Sequence, residues 1–402
     1  MARDRVPGIL AFVPDVWENA WMTRHQIVTR LARFFPVAWM DRPREWRDML
    51  KIHGQPIAQG DGPLPSPDTF ALYRPRWPMI YRPRAAADFF ERRRIAAARG
   101  MLRRRQSDSD IVYLWHPEYA HSLDLVPHRL SCYHVDDEYS FSSVEKPVSD
   151  LESALLSRVD EVIIHSAALW EKKSGLAKHA SLIPNGVDFS AYSTPTPEPE
   201  DLRAIPHPRI GYVGVVKGQL NLPLLVSLSE RHPEWSFVLV GPVRSLGTDA
   251  EAFEVLNNRS NVHLLGGRPV ATLPAYVQHM DVGIMPYDVD DYTKYIYPLK
   301  LHEYLATGVP TVASPIRTLQ DFGNVLALVE GADAWSAAIA AALDPAARSP
   351  EAAAARRAVA AEHDWWAIAR RIALLFASRL DGAWNDRITT AVRADAAANP
   401  IG

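Results

Sequence analysis

The sequence predicts an α/β protein with two Rossmann-like domains. In both halves of the 402-residue chain, short apolar runs of strand length alternate with segments of helical periodicity. Alternation of this kind is typical of parallel sheets. The chain is also longer than one compact core usually accommodates, and a proline-rich segment separates two halves of similar character.

These observations predict the domain boundaries. We expect a first domain at 1–195, a linker at 196–208 and a second domain at 209–370. Residues 371–402 are predicted to form a helix that crosses back to the first domain, with a fraying tail from Ala391.

The composition narrows the class of protein. Hydrophobic residues make up 48%, charged residues 23%, and the net charge is -3, which describes an ordinary globular protein without the basic excess of a nucleic-acid binder. A single cysteine, Cys132, excludes an intrachain disulfide and a cysteine-rich zinc site. The apolar run near the N-terminus is too short for a signal peptide or a membrane span, so we expect a cytoplasmic protein.

Polar side chains follow the predicted strands of the first half. Because parallel strands end at one edge of a sheet, and ligands bind beyond that edge, these side chains indicate a site. The acceptor-side candidates are Trp17, Arg24 and His25. The candidates for a base or a positioning group are His116, Asp136 and Asp137, with helix N-capping as the alternative role of the acids.

A basic segment lies in the middle of the first half. Arg82–Arg105 contains nine arginines among apolar residues at helical spacing, after an irregular excursion predicted for residues 54–84. One interpretation is a solvated helix packed on the sheet by its apolar stripe. The other is docking to an anionic membrane surface.

The most informative stretch is residues 295–314. Pro298 suits the start of a short helix and Gly308 suits its C-terminal cap. Lys300 lies in the first turn, where the helix dipole disfavours a cation, and Glu303 follows one turn later on the same face. A lysine beside free N–H groups suits a diphosphate, and a carboxylate can accept from sugar hydroxyls. The alternative is an exposed ion pair.

Glycine loops follow the first strands of the second half. Gly214 and Lys217 come after one strand and Gly241 after the next. The glycine spacing does not match the dinucleotide fingerprint, and the P-loop pattern is absent, which disfavours a nicotinamide oxidoreductase or a kinase.

An ordered set of motifs carries a family resemblance. The chain resembles the GT-B glycosyltransferases, and more narrowly glycosyltransferase family 4, or group 1, enzymes of bacterial surface polysaccharide synthesis. The motifs are Val159–Ser166, Leu182–Asp188, Gly211–Gly214, Phe237–Pro242, Asp281–Pro286 and Pro298–Pro310.

The resemblance implies two domains facing a central cleft and a ribose-binding role for Glu303. Tyr295 stands where the family has a second glutamate, and Val215 stands where it has an arginine. Lys300, with Lys217 or Arg268, is therefore expected to neutralise the diphosphate. The complete set of donor-side candidates is Gly214, Lys217, Gly241, Arg268, Tyr295, Lys300, Leu301 and Glu303.

The implied reaction is transfer of a sugar from a nucleotide sugar to an acceptor hydroxyl on a glycan, a lipid-linked glycan or a small molecule. We expect retention at the anomeric carbon, no metal and no resident cofactor. Asp288, Asp290 and Asp291 are interpreted as solvated loop charges. The alternatives are a nucleotide-sugar epimerase and a non-catalytic GT-B homologue. A lipid-linked acceptor would place the protein at the inner face of the cell membrane.

Overall fold

The computed structural model describes residues 5–17, 21–43, 65–75, 84–141 and 146–399. Within these ranges the chain forms two parallel sheets flanked by helices, as the alternation of strands and helices predicts. The first sheet contains β1 Gly8–Phe12, β2 Val37–Met40, β3 Phe70–Tyr73, β4 Ser109–Leu114, β5 Leu130–Val135, β6 Glu161–Ile164 and β7 Ala180–Leu182, in the spatial order β3-β2-β1-β4-β5-β6-β7.

The second sheet repeats this arrangement. Its strands are β8 Arg209–Val213, β9 Ser236–Val240, β10 Val262–Gly266, β11 Val282–Met285, β12 Thr311–Ala313 and β13 Ala327–Leu328, in the order β10-β9-β8-β11-β12-β13. In each sheet the strand order reverses at the first strand, and such a reversal opens a crevice at the carboxyl ends of the strands.

Helices cover both sheets. They are α1 Thr23–Leu31, α2 Arg84–Arg103, α3 Ser122–Leu125, α4 Asp150–Arg158, α5 Ala167–Lys173, α6 Phe189–Ser193, α7 Leu222–Arg231, α8 Ala250–Asn257, α9 Leu273–Gln278, α10 Leu299–Thr307, α11 Ala332–Ala342, α12 Pro350–Ala361, α13 Trp365–Ser378 and α14 Gly382–Ala398. No helix of the described ranges is long and apolar enough to cross a bilayer.

The cores explain why the strands are almost entirely apolar. The first sheet carries one buried cluster on each face, as its alternating residues Ile9 and Leu10 show, and a third cluster surrounds the second sheet. Strands buried on both faces read as continuous hydrophobic runs, which made them recognisable in the sequence.

Two elements differ from the prediction. The segment 54–84, expected to be irregular, contains the edge strand β3, which pairs with β2 from Phe70 opposite Val37. A four-residue strand at a sheet edge is too short to produce a clear periodic pattern. The tail expected from Ala391 is helical to Ala398, with Val392 buried and Asp395 paired with Arg370.

The chain crosses back between the sheets at Trp365, before residue 371 where the crossing helix was predicted to begin. The Trp365 N–H donates to the Val187 carbonyl at 2.9 Å, and the Val187 N–H donates to the His363 carbonyl at 3.0 Å. Helix α13 then packs against α1, so the end of the chain contributes to the first domain's core. The boundaries around 196–208 remain a prediction.

Candidate active site

The two glycine loops of the second sheet lie against each other. Gly214 and Gly241 follow β8 and β9 with φ of +150° and +151°, a region that favours glycine. A Cβ atom on Gly241 would come within 2.0 Å of the Gly214 carbonyl oxygen. A Cβ atom on Gly214 would meet Lys300 Cε at 2.1 Å, so the lysine lies directly on the bare main chain.

Lys300 is held in the first turn of α10, as the sequence predicts. Its Nζ lies 5.0 Å from the centroid of the Tyr212 ring. Burial alone would lower the pKa of Lys300, but the oxygens of Tyr212, Tyr287, Tyr304 and Glu303 raise it above its ordinary value. The ammonium group therefore stays charged beside the glycine loop.

A second lysine, Lys217, follows the glycine loop in the sequence and lies within reach of the Lys300 charge. Burial and the nearby charge of Lys300 lower the pKa of Lys217, while Asp137 on the first domain acts in the opposite direction. An anion bound near Lys300 would offset the repulsion between the two ammonium groups.

Glu303 lies one turn after Lys300 and is half-buried. Burial raises the pKa of Glu303, and this is opposed by Lys300 and by a hydrogen bond with the Tyr192 side chain. Glu303 also lines a cavity of about 490 Å³ between the domains. The helix thus presents a cation and a carboxylate on one face, at adjoining parts of the cleft.

The side chains of three other donor-side candidates make their contacts away from Lys300. Tyr295 is 4% exposed and packs into a core cluster of the first domain, with Lys172 Nζ 5.0 Å from its ring centroid. Leu301 is fully buried in the core of the second domain. Arg268 pairs with Asp201 at 2.7 Å. Their side chains do not join Lys300 at the glycine loop.

Asp136 on the first domain belongs to a tight polar network. Its carboxylate pairs with Arg24, and the Tyr139 hydroxyl donates to it at 2.5 Å. Arg24 also pairs with Asp15. The expected base and the expected acceptor-side arginine thus neutralise each other at the ends of β5 and α1.

His116 and Asp137 lie beside this network. His116 Nδ1 accepts from the Glu118 N–H at 3.2 Å, its ring meets Tyr139 edge-on at 4.4 Å, and burial lowers its pKa. Asp137 is exposed and accepts from the Tyr292 hydroxyl of the second domain at 3.4 Å. Asp137 is therefore the predicted carboxylate that faces the second domain.

The other two acceptor-side candidates are buried. The ring of His25 lies between Trp17 at 5.5 Å and Trp39 at 4.7 Å, between centroids, and is fully inaccessible. Burial lowers the pKa of His25 to about 4, so the ring is neutral near pH 7. Trp17 is 4% exposed and donates its main-chain N–H to Asp41. Both side chains pack beneath the site.

Several residues of the site were not identified from the sequence. Tyr212 and Tyr287 enclose Lys300, and Tyr192 contacts Glu303. Tyr212 lies within a buried strand, where an aromatic residue is typical of a core position. A tyrosine shortly before a glycine loop was the available signal, and it is a weak one.

The loop after β11 carries three aspartates, Asp288, Asp290 and Asp291. Asp290 accepts from the main-chain N–H groups of Tyr292 and Thr293 at 2.9 and 2.7 Å and so caps a turn. Within the described ranges, no group of three or more His, Cys, Asp or Glu side chains is arranged to hold a metal ion.

Comparison with known proteins shows that the second domain is similar to glycosyltransferases. Residues 207–345 match the family model described as glycosyl transferases group 1. A curated relative, the putative teichuronic acid biosynthesis glycosyltransferase TuaH of Bacillus subtilis (strain 168), is 28% identical over 177 residues. That match covers 42% of this chain and 44% of TuaH, so it spans less than half the length of either protein.

Solved structures match nearly the whole chain. WaaG, a glycosyltransferase involved in lipopolysaccharide biosynthesis, has a TM-score of 0.58 at 14% identity, covering 91% of this chain and 98% of WaaG. The apo structure of OtsA has a TM-score of 0.61 at 14% identity, covering 94% and 99%. Identities this low establish the fold alone. The chain thus has the GT-B fold, and its second domain resembles the glycosyl transferases of group 1.

Proposed function

We propose that this protein is a glycosyltransferase that moves a sugar from a nucleotide sugar to an acceptor hydroxyl. The observation that carries the proposal is the Lys300 side chain lying on the bare main chain of the glycine loop at Gly214, with Lys217 within reach of its charge. A diphosphate is an anion that would relieve their repulsion. The match of residues 207–345 to a glycosyltransferase family model supports the same assignment.

The lysines would act on the leaving group. As the bond from the anomeric carbon to the diphosphate breaks, negative charge grows on the phosphate oxygens. Lys300, whose pKa lies above its ordinary value, stays charged to meet that charge. The first N–H groups of α10 contribute in the same direction, because the helix begins at Leu299. Glu303 would accept hydrogen bonds from the ribose hydroxyls.

The acceptor would lie against the first domain. Asp137 is exposed to the cleft, whereas Asp136 is occupied by Arg24 and Tyr139. We therefore assign Asp137 to contact the acceptor hydroxyl and Asp136 to hold Arg24 and Tyr139 in place. His116 would complete this edge through its contact with Tyr139.

Retention of configuration is part of the proposal. In a retaining transfer the departing phosphate oxygen can take the acceptor's proton, so a strong protein base is not required. The proposal includes neither a metal nor a resident cofactor, because the two lysines provide the positive charge for the diphosphate.

A glycan or lipid-linked glycan is the proposed acceptor class, supported by the similarity to TuaH, a putative teichuronic acid biosynthesis glycosyltransferase. Contact with an anionic membrane would use the exposed end of α2. Phe89 is 55% exposed there, and Arg92 and Arg93 are exposed beside it. Other arginines of the segment are already paired, among them Arg94 with Glu91 and Arg99 with Asp108.

The proposal is tested by assaying transfer and slow donor hydrolysis with UDP-, GDP-, ADP- and dTDP-sugars. We expect one donor to release its nucleoside diphosphate and Glu303→Ala to abolish that release. Isomerised donor without release would indicate an epimerase. A folded protein that binds a nucleotide sugar but never cleaves it would indicate a non-catalytic homologue. Sedimentation with anionic vesicles, comparing wild type with Arg92→Ala/Arg93→Ala, tests the membrane contact.

A further inference from the structure

The cavity beside Glu303 is built from both domains. Helix α1 contributes Gln26 and Arg30, the segment around Val270 closes the opposite side, and Trp366 stands at the start of the crossing helix α13. Its volume of about 490 Å³ falls in the range of small-molecule pockets. Because its lining comes from segments far apart in the sequence, the cavity exists only when the two domains are together.

Arg30 and Trp366 contact each other in the wall of this cavity. The Arg30 guanidinium carbon lies 5.3 Å from the centroid of the Trp366 ring. Arg30 is 8% exposed, and its Nη2 pairs with Asp188 Oδ2 at 2.9 Å while its Nη1 donates to the Gln26 carbonyl at 3.2 Å. These bonds fix the guanidinium and neutralise its charge, so it supports the indole ring and leaves the cavity without a strong net cation.

The chemistry of the cavity suits a nucleoside. Its aromatic surface favours a planar ring, since every base has a face that can stack on an indole. Glu303 is a carboxylate in the wall, suited to sugar hydroxyls. Lys300 and Glu303 lie one turn apart on α10, so a ligand at Glu303 can extend towards Lys300.

We infer that this cavity receives the base of the donor nucleotide and that Trp366, supported by Arg30, is the specificity-determining residue that stacks on it. This inference rests on the proposed function. It adds that base recognition depends on the first domain and on the crossing helix, whereas the group 1 family match, residues 207–345, ends before Trp366.

The test is calorimetric titration with UDP, GDP, ADP and dTDP against wild type, Trp366→Ala and Trp366→Phe. Trp170→Ala is the matched control, because Trp170 is a half-buried tryptophan on α5 outside the cavity. We expect Trp366→Ala to weaken the preferred nucleotide about tenfold and to reduce the differences in Kd among the four bases. Trp366→Phe should keep most of the affinity, and Trp170→Ala should match wild type.

Unchanged Kd values in Trp366→Ala would overturn the inference, as would an equal loss for all four nucleotides in both the Ala and Phe variants. The proposed function would survive either result if wild type binds one nucleotide and Glu303→Ala loses it. Failure of wild type to bind any of the four would overturn both. Thermal unfolding of each variant confirms that it is folded.

Discussion

The two edges of the cleft differ in how their charges are balanced. On the second domain, Lys300 lies on the glycine loop at Gly214, and burial together with the Lys300 charge lowers the pKa of Lys217. On the first domain, Asp136 and Arg24 are already paired. We expect the first arrangement to bind an anion, while the charges of the second are already paired with each other.

We infer from this difference that the edge of the second domain binds a charged ligand, whereas the paired groups of the first domain mainly support the structure. Ionisable groups that lie in a cleft and have strongly shifted pKa values are candidates for functional residues. We call Lys217 and Lys300 the lysine edge, and Arg24 and Asp136 the paired edge. We expect substitutions at the lysine edge to lower activity strongly, and substitutions at the paired edge mainly to lower stability.

The largest effect is expected at Lys300. Replacing it by alanine should lower kcat/KM for sugar transfer by roughly 100- to 1000-fold, because one preorganised charge at the leaving group is lost. Thermal unfolding checks that the variant is folded, because the substitution also removes the contact of Lys300 with the Tyr212 ring. Lys178→Ala, at an exposed lysine of the first domain, is the control and should retain full activity. Similar kinetics in both variants would remove the functional distinction between the two edges.

Next in size is the effect of Arg24→Ala on stability. The substitution leaves Asp15 and Asp136 without their cation, and we expect a loss of about 3 kcal/mol in the free energy of unfolding. Urea denaturation at pH 7 measures this. Adding Asp136→Asn should recover part of the loss, because it removes one uncompensated carboxylate. A double variant less stable than Arg24→Ala would show that the pair is not the source of the effect.

Substitutions at Tyr295 test whether this residue, which stands in place of the family's second glutamate, has a structural role. Tyr295→Glu restores the expected residue but buries a carboxylate in an apolar cluster of the first domain. We expect it to cost about 2 kcal/mol of stability without increasing transfer. Tyr295→Phe keeps the ring and should cost less than about 1 kcal/mol. A rise in kcat for the Glu variant would return this position to the donor site.

The last prediction concerns His25 and the pH dependence of stability. Its pKa in the folded protein is lowered to about 4, so the unfolded chain binds more protons as the pH falls below about 6.5. His25 should therefore destabilise the protein by about 2 kcal/mol between pH 7 and pH 5. Urea denaturation should show a flatter pH dependence for His25→Phe than for wild type. Parallel pH profiles for the two proteins would exclude this role.

The same two edges show how far the sequence can be interpreted. The lysine edge depends on a short local segment: Gly308 adopts the left-handed conformation with φ of +80°, and Lys300 and Glu303 lie in the predicted helix. Strands such as Leu130–Val135 are recognisable as apolar runs, because a strand buried on both faces has a distinctive pattern.

What could not be predicted depends on contacts between distant segments. Nothing near Arg24 in the sequence indicates that it pairs with Asp136, or that Arg268 pairs with Asp201. The burial of Tyr295 likewise depends on residues of the first domain that are distant from it in the sequence. Tertiary contacts of this kind decide which polar residues remain available to a ligand.

The most direct test of the account compares nucleoside diphosphates with the corresponding monophosphates by calorimetry, in wild type and Lys300→Ala. If the lysine edge binds a diphosphate, wild type should bind the preferred nucleoside diphosphate much more tightly than the corresponding monophosphate. That preference should collapse in Lys300→Ala. Equal affinities for the two ligands in wild type, or a preference that survives loss of Lys300, would contradict the account.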